Sequence, residues 1–241
     1  LIQAAHDMLE RLGGEDAENV HTARLFTAAL NYLAQGLSRR PETAERALAL
    51  TEQSIQILNT LAERAPGNLQ VIHERGLAYG EASSALRTLR RFDESWAASA
   101  QSEAAYSAYL SRASAGGVSL TNLIRGKVSA GTNLAAAGKT QDAVVKYQEA
   151  LDTARGRIIS SSLAYRLAQG ASHLAFLHHA NGHVQDAMRA LEDYERFLEA
   201  SVKDAPSETF ARLTIKDRVA LARIRAEGAA GPEGASERCH Q

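Results

Sequence analysis

Four of the eight histidines, His173, His178, His179 and His183, gather in one short stretch of the chain. His179 and His183 stand four apart, a spacing that puts two imidazoles on one metal when both lie on a continuous helix. Asn181 and Gly182 intervene and are expected to end the helix, which removes that geometry. No glutamate follows in the arrangement of a zinc hydrolase. The residues therefore read as solvated turn histidines, with His178 partly packed at a helix end and no metal. Cys239 beside His240 pairs a thiol with a base, but the segment around them reads as disordered and cannot hold an activating geometry. Ser160, Ser161 and Ser162 read as a loop. No G-x-S-x-G elbow occurs, and no glycine-rich loop leads to Lys and Ser/Thr. Gly76 and Gly80 form a G-x-x-x-G, which in a soluble helix marks close packing or an open groove. The expectation is a chain that is not an enzyme and takes no cofactor.

Composition narrows the remaining classes. The 241 residues are 45% hydrophobic, 23% charged and 5% aromatic, with Lys+Arg 27 against Asp+Glu 28 and a formal net charge of −1. That balance speaks against a general nucleic-acid binder or a basic membrane-surface protein. A single cysteine excludes a disulfide framework within the chain. No run approaches the length of a membrane span, and no basic segment followed by an apolar core opens the chain. The first residue is leucine, so a fragment of something longer is expected.

The elements that position these residues are set by a few breakers. Prolines stand only at Pro41, Pro66, Pro206 and Pro232, between long stretches of Ala, Leu, Arg, Glu and Gln, which are strong helix formers. No long strict alternation argues for a sheet. The fold class is all-α. Cutting at the breakers predicts helices near 1–12, 17–36, 42–64, 68–89, 93–113, 118–137, 141–158, 162–181, 184–203 and 207–227. Residues 1–227 read as one helical domain and 228–241 as a disordered tail. The helix over 207–227 presents Phe210, Leu213, Val219, Ala220 and Ile224 on one side and arginines and lysine on the other, as a capping helix should.

Three phrases align: residues 89–95 (LRRFDES), 137–143 (AGKTQDA) and 181–187 (NGHVQDA). Each is a turn, then an acid, then a small residue opening a helix. The acids Glu94, Asp142 and Asp186 fall in the first turn, where they complement the helix dipole. A fourth copy carries Ala47, so the small residues stand at 47, 95, 143 and 187, in steps of 48, 48 and 44. Fixed periods of this size mean stacked helical hairpins. Second-helix columns read Leu48/Trp96/Val144/Met188 and Leu58/Tyr106/Ala154/Leu198. First-helix columns read Ala82/Ala130/Leu174, Ser83/Gly131/Ala175 and Leu86/Leu134/His178. A small residue in the middle column lets two helices approach closely.

These residues resemble the tetratricopeptide repeat over roughly 17–203: the small residue in the first helix, the turn glycines Gly138 and Gly182, the aromatic Phe92, and the small residue opening the second helix. Two departures are visible. The large residue expected early in the first helix is Tyr79 in one copy but Lys127 and Ala171 in the others. The period also exceeds the usual length of about 34. Long-helix versions occur in the C-terminal regions of bacterial Ser/Thr protein kinases, which residues 54–68 resemble. The resemblance implies a right-handed α-α superhelical solenoid of about four hairpins with a C-terminal capping helix.

The resemblance also implies that the first helices line a concave groove. The outward face, read at i, i+4, i+7, i+11 and i+14, gives three matched sets beginning at His73, Thr121 and Tyr165. From these and their neighbours, Arg87, Asn122, Arg125, Thr132, Tyr165, Arg166, Gln169 and Phe176 are the candidate groove residues. Small residues, arginines and aromatics together suit an extended peptide or a partner helix. The carboxylate clamp of chaperone-binding members is not expected, because Gly80, Ser84, Ser129 and His173 occupy its positions and only Arg125 fits. The expected function is a non-catalytic protein–protein interaction or regulatory module of a larger bacterial signalling protein. It would bind a protein or peptide rather than nucleic acid, without inserting into a membrane. The alternative is a small-ligand sensor whose solenoid closes around a metabolite. A cytoplasmic location is expected, or a periplasmic one if a membrane-anchored kinase precedes the segment.

Overall fold

Helix starts and stops follow from local chemistry. The structure, a computed structural model, describes residues 20–113, 117–157, 160–202, 221–222 and 224–226. Eight helices are found among them: α1 (Val20–Leu37), α2 (Pro41–Arg64), α3 (Leu69–Thr88), α4 (Phe92–Arg112), α5 (Gly117–Ala136), α6 (Thr140–Ala154), α7 (Ser161–Ala180) and α8 (Val184–Val202). Helix accounts for 88% of the described residues. The helix expected over 1–12, the tail over 228–241 and most of 207–227 lie outside them.

Pro41 opens α2 at a position where its missing N–H costs nothing. Asn68 caps α3, its side chain accepting from Gln70 N at 3.0 Å and Val71 N at 3.3 Å. Ser160 caps α7 by accepting from Leu163 N. One expected boundary is corrected. The helix predicted over 141–158 ends at Ala154, because Gly156 turns into the left-handed region at φ 71°.

The chain divides into two compact units, residues 1–137 and 138–241. In the first unit consecutive helices pack as antiparallel neighbours from α1 through α5, and α1 packs on α3 and α3 on α5. In the second, α7 packs on both α6 and α8. Phe26, Leu30, Ala34, Ala47, Leu48, Ala82 and Leu86 of α1–α3 form one apolar cluster of the first unit. Ala23, Leu58, Leu61, Val71 and Ala78 form another. The small residues Ala47, Ser95, Ala143 and Ala187 are all completely buried. The column Leu58/Tyr106/Ala154/Leu198 is buried as well. The expected column Leu48/Trp96/Val144/Met188 is not a common core position: Trp96 is 39% exposed, and Val144 and Met188 are half-buried.

Close approach of α3 and α4 is built from small side chains. Ser83 Oγ lies 2.7 Å from Ser99 Oγ, and Ser102 Oγ donates to Gly76 O at 2.7 Å. Asn133 of α5 donates to the hydroxyls of Ser83 and Ser99 at 3.0 Å each. The departures from the repeat pattern are filled differently. Lys127 extends to Glu103 of α4 in a 2.5 Å ion pair, while Ala171 is simply buried. No helix among the described residues is long and apolar enough to cross a membrane.

Candidate functional site

The three outward-face sets of α3, α5 and α7 share one property. Every member is half-buried except Val128 and Ser172, which are buried. The opposite sides of the same helices carry the fully packed Ala82, Ala130 and Leu174. These faces are thus neither core nor fully open surface.

In the first unit, two of the candidate residues converge. Arg87 and Arg125 both exert their charge on Glu81, a carboxylate only 8% exposed on α3. Gln35 of α1 donates to Glu81 Oε1 at 3.1 Å. Burial nevertheless wins and raises the Glu81 pKa above the usual carboxylate value, against the opposing pull of Arg125, Gln35, Arg39 and Arg87. Arg87 also donates to Asn133 Oδ1 at 3.4 Å. Asn122 Nδ2 lies 3.4 Å from His73 Nε2, and the His73 ring meets Tyr106 and Tyr109 edge-on with centroids 5.7 Å away. Thr132 donates back to Val128 O at 3.0 Å.

Sequence reasoning missed the polar groups behind this face. Glu74 lies on α3 seven residues before Glu81, and burial raises its pKa while Arg24 of α1 opposes. Burial lowers the pKa of His73, with Arg24 adding to the effect. The Tyr106 hydroxyl is buried without a hydrogen-bond partner among the described residues, and burial pushes its pKa up. Both polar atoms of the Asn31 side chain and Glu74 Oε2 are likewise buried and unpartnered among the described residues. Buried polar atoms in native folds are nearly always paired, so such a group of orphans needs a reason. One signal was legible. Arg24, Asn31 and Gln35 stand at i, i+7 and i+11 of α1, the spacing of the other three sets.

In the second unit, Tyr165, Arg166 and Gln169 are joined on α7. Arg166 donates to Gln169 Oε1 at 3.0 Å, and Gln169 donates to the Tyr165 hydroxyl at 3.1 Å. Phe176 is half-buried farther along the helix. The Tyr147 hydroxyl lies 2.8 Å from His173 Nδ1. As expected, α7 ends before the Asn181–Gly182 turn, and His178 is half-buried. The turn brings His178, rather than His179, beside His183, with ring centroids 6.0 Å apart. Asp186 joins them, and these three side chains are the only group of metal-ligating residues that comes together among the described residues. Burial lowers the His178 pKa, with Asp186 opposing and His183 adding.

Comparison with known proteins finds no family model that matches the sequence and no curated protein similar to it.

Proposed function

We propose that the chain is a tetratricopeptide-like interaction module, whose first-helix faces bind an extended peptide or a partner helix as a regulatory part of a larger bacterial signalling protein. One observation carries the reading. The α1–α3–α5 side of the first unit holds the half-buried arginines Arg24, Arg87 and Arg125 together with half-buried Ser84 and Thr132, a polar face that is neither packed core nor open surface. A peptide backbone offers both donors and acceptors in a row, which suits the half-buried arginines and hydroxyls of that face. The period of the small residues, and their complete burial, support the solenoid architecture. The packing of α1 on α3 and α3 on α5 supports it too, since stacked repeats place successive first helices side by side.

Arg125 is the expected anchor. It acts on Glu81 and Tyr106 while remaining half-exposed, and arginine can form paired hydrogen bonds to a carboxylate and stack on an aromatic ring. Selection of peptides from a random display library against the whole chain should yield binders. Arg125→Ala should weaken them about tenfold or more, while Arg64→Ala at the exposed end of α2 should leave them unchanged. Failure to enrich any peptide, or equal effects of the two substitutions, would remove the groove as a peptide site. A melting-temperature increase with a small metabolite, lost in Arg125→Ala, would favour the sensor instead.

A further inference from the structure

The turn between α7 and α8 is made of two stacked backbone motifs. Gly182 adopts φ 76°, His183 N donates to His178 O at 2.9 Å, and Gly182 N donates to His179 O at 3.0 Å. This is the Schellman ending, which brings the side chains at its first and sixth positions together, ordinarily as an apolar contact. Here those positions are His178 and His183. His183 also precedes the first residue of α8, and Ala187 N donates to its carbonyl at 3.0 Å. Asp186 is therefore the third residue of the helix, whose side chain reaches back toward the residue before the helix. Both motifs converge on His183.

The corresponding turns carry different chemistry. The same three positions read Leu86, Arg91 and Glu94 in one copy and Leu134, Lys139 and Asp142 in another. In the first of these, Arg91 and Glu94 satisfy each other at 2.6 and 2.8 Å. In the last turn the leucine and the cation are both replaced by imidazoles, and the acid is kept. Neither imidazole has a hydrogen-bond partner among the described residues.

We propose that His178, His183 and Asp186 form a binding site for a divalent transition metal, with zinc the expected occupant. Two imidazoles and one carboxylate are a donor set suited to zinc and its late first-row neighbours rather than to calcium or magnesium. One ligating atom from each residue lies within 4.8 Å of the others. Ligands bonded to one tetrahedral zinc at about 2.0 Å stand roughly 3.3 Å apart, so a small side-chain rotation closes the set. His183 is exposed and free to make it. Arg189 holds one Asp186 oxygen at 2.8 Å, but its own side chain is 75% exposed and can move aside or keep the carboxylate oriented. His178 and Asp186 also line an open cavity of about 390 Å³ against α6, where Glu149 and Asp152 stand paired with Lys146 at 3.0 Å and Arg155 at 2.9 Å. Three protein ligands, two of them lining a cavity, leave coordination positions for water or for a side chain of a partner.

The test is titration of the whole chain with zinc against a chromophoric chelator, and with cobalt(II) read by its visible absorption. One equivalent should bind. His183→Ala and Asp186→Asn should each weaken binding, roughly 100-fold or more, since loss of even an outer-shell partner costs about 10–100-fold. His179→Ala and the double change Cys239→Ser with His240→Ala should leave affinity unchanged. Far-ultraviolet circular dichroism checks that each variant keeps its helices, and His183→Gln serves if His183→Ala does not. Unchanged affinity in the His183 and Asp186 variants overturns the site. So does loss of binding that follows Cys239 and His240, or the absence of binding by the unaltered chain.

Discussion

Glu81 shows how a single residue can run against the composition of its surroundings. Its neighbours Ala82 and Ser83 belong to the packed columns, and Glu81 itself is almost as deeply buried. Three arginines and a glutamine compensate its charge only in part, because burial still raises its pKa. The unfolded carboxyl titrates near 4.5, so between that value and the raised folded value the native state holds the extra proton. Its contribution to stability is thus full below the unfolded value and falls as pH rises through the folded one. Glu81→Gln keeps an acceptor for Gln35 and cannot ionise. The variant should therefore gain on the unaltered chain as pH rises from about 4.5 to about 7.5, as read by melting temperature. Glu74, raised in the same direction, titrates in both proteins and cancels in the difference. A gap that narrows with pH would mean that the arginines outweigh burial.

At the scale of helices, two glycines that look alike in the sequence do opposite things. A Cβ on Gly76 would stand 2.7 Å from a ring carbon of the buried Tyr106. That ring sits between α3 and α4 and has no room to retreat, so Gly76→Ala should destabilise by about 1–3 kcal/mol. Gly126, within α5, has nothing within 4 Å of the same atom. Gly126→Ala should raise stability by about 0.5–1 kcal/mol through helix propensity. Chemical denaturation of the two variants checks both signs, and similar midpoints would contradict the packing described. Helix ends were largely legible because their causes are local: Pro41 and Asn68 lie within one residue of where α2 and α3 begin. The end of α6 was not. In the sequence the apolar spacing of Ala143, Tyr147, Ala150, Leu151 and Ala154 runs on to Ile158, and nothing local shows that Gly156 takes the left-handed conformation that stops the helix. Whether Gly76 or Gly80 is the crowded one depends on Tyr106, thirty residues away, and no local pattern distinguishes them.

For the molecule as a whole, the period of small residues was readable because Ala47, Ser95, Ala143 and Ala187 each meet the same demand, a fully buried position near the start of a helix. The half-buried strips on α3, α5 and α7 were readable in the same way. The half-buried Glu74, the buried Glu81 and the buried Tyr106 hydroxyl were not, since what surrounds each comes from other helices, Arg24 and Gln35 of α1 for the carboxylates and Gly76 of α3 for the ring. The His178–His183 pairing needed the backbone path of the turn, which spacing on a continuous helix does not contain. The C-terminal end of the second unit offers a test of a different kind. Leu221 and Ile224 are buried, Arg225 pairs with Glu195, and Leu221 shares a cavity with Leu191, Tyr194 and Leu198 of α8. An apolar stripe left uncovered at the end of a stack of repeats invites association, which is why terminal elements carry a polar outer side. Burying two side chains of this size contributes roughly 3 kcal/mol or more. A chain ending at 227 should therefore melt like the full one, whereas a chain ending at Val202 should lose stability and aggregate. Differential scanning calorimetry with light scattering reads both, and a monomeric, equally stable shorter chain would show that the residues after α8 do not cover it.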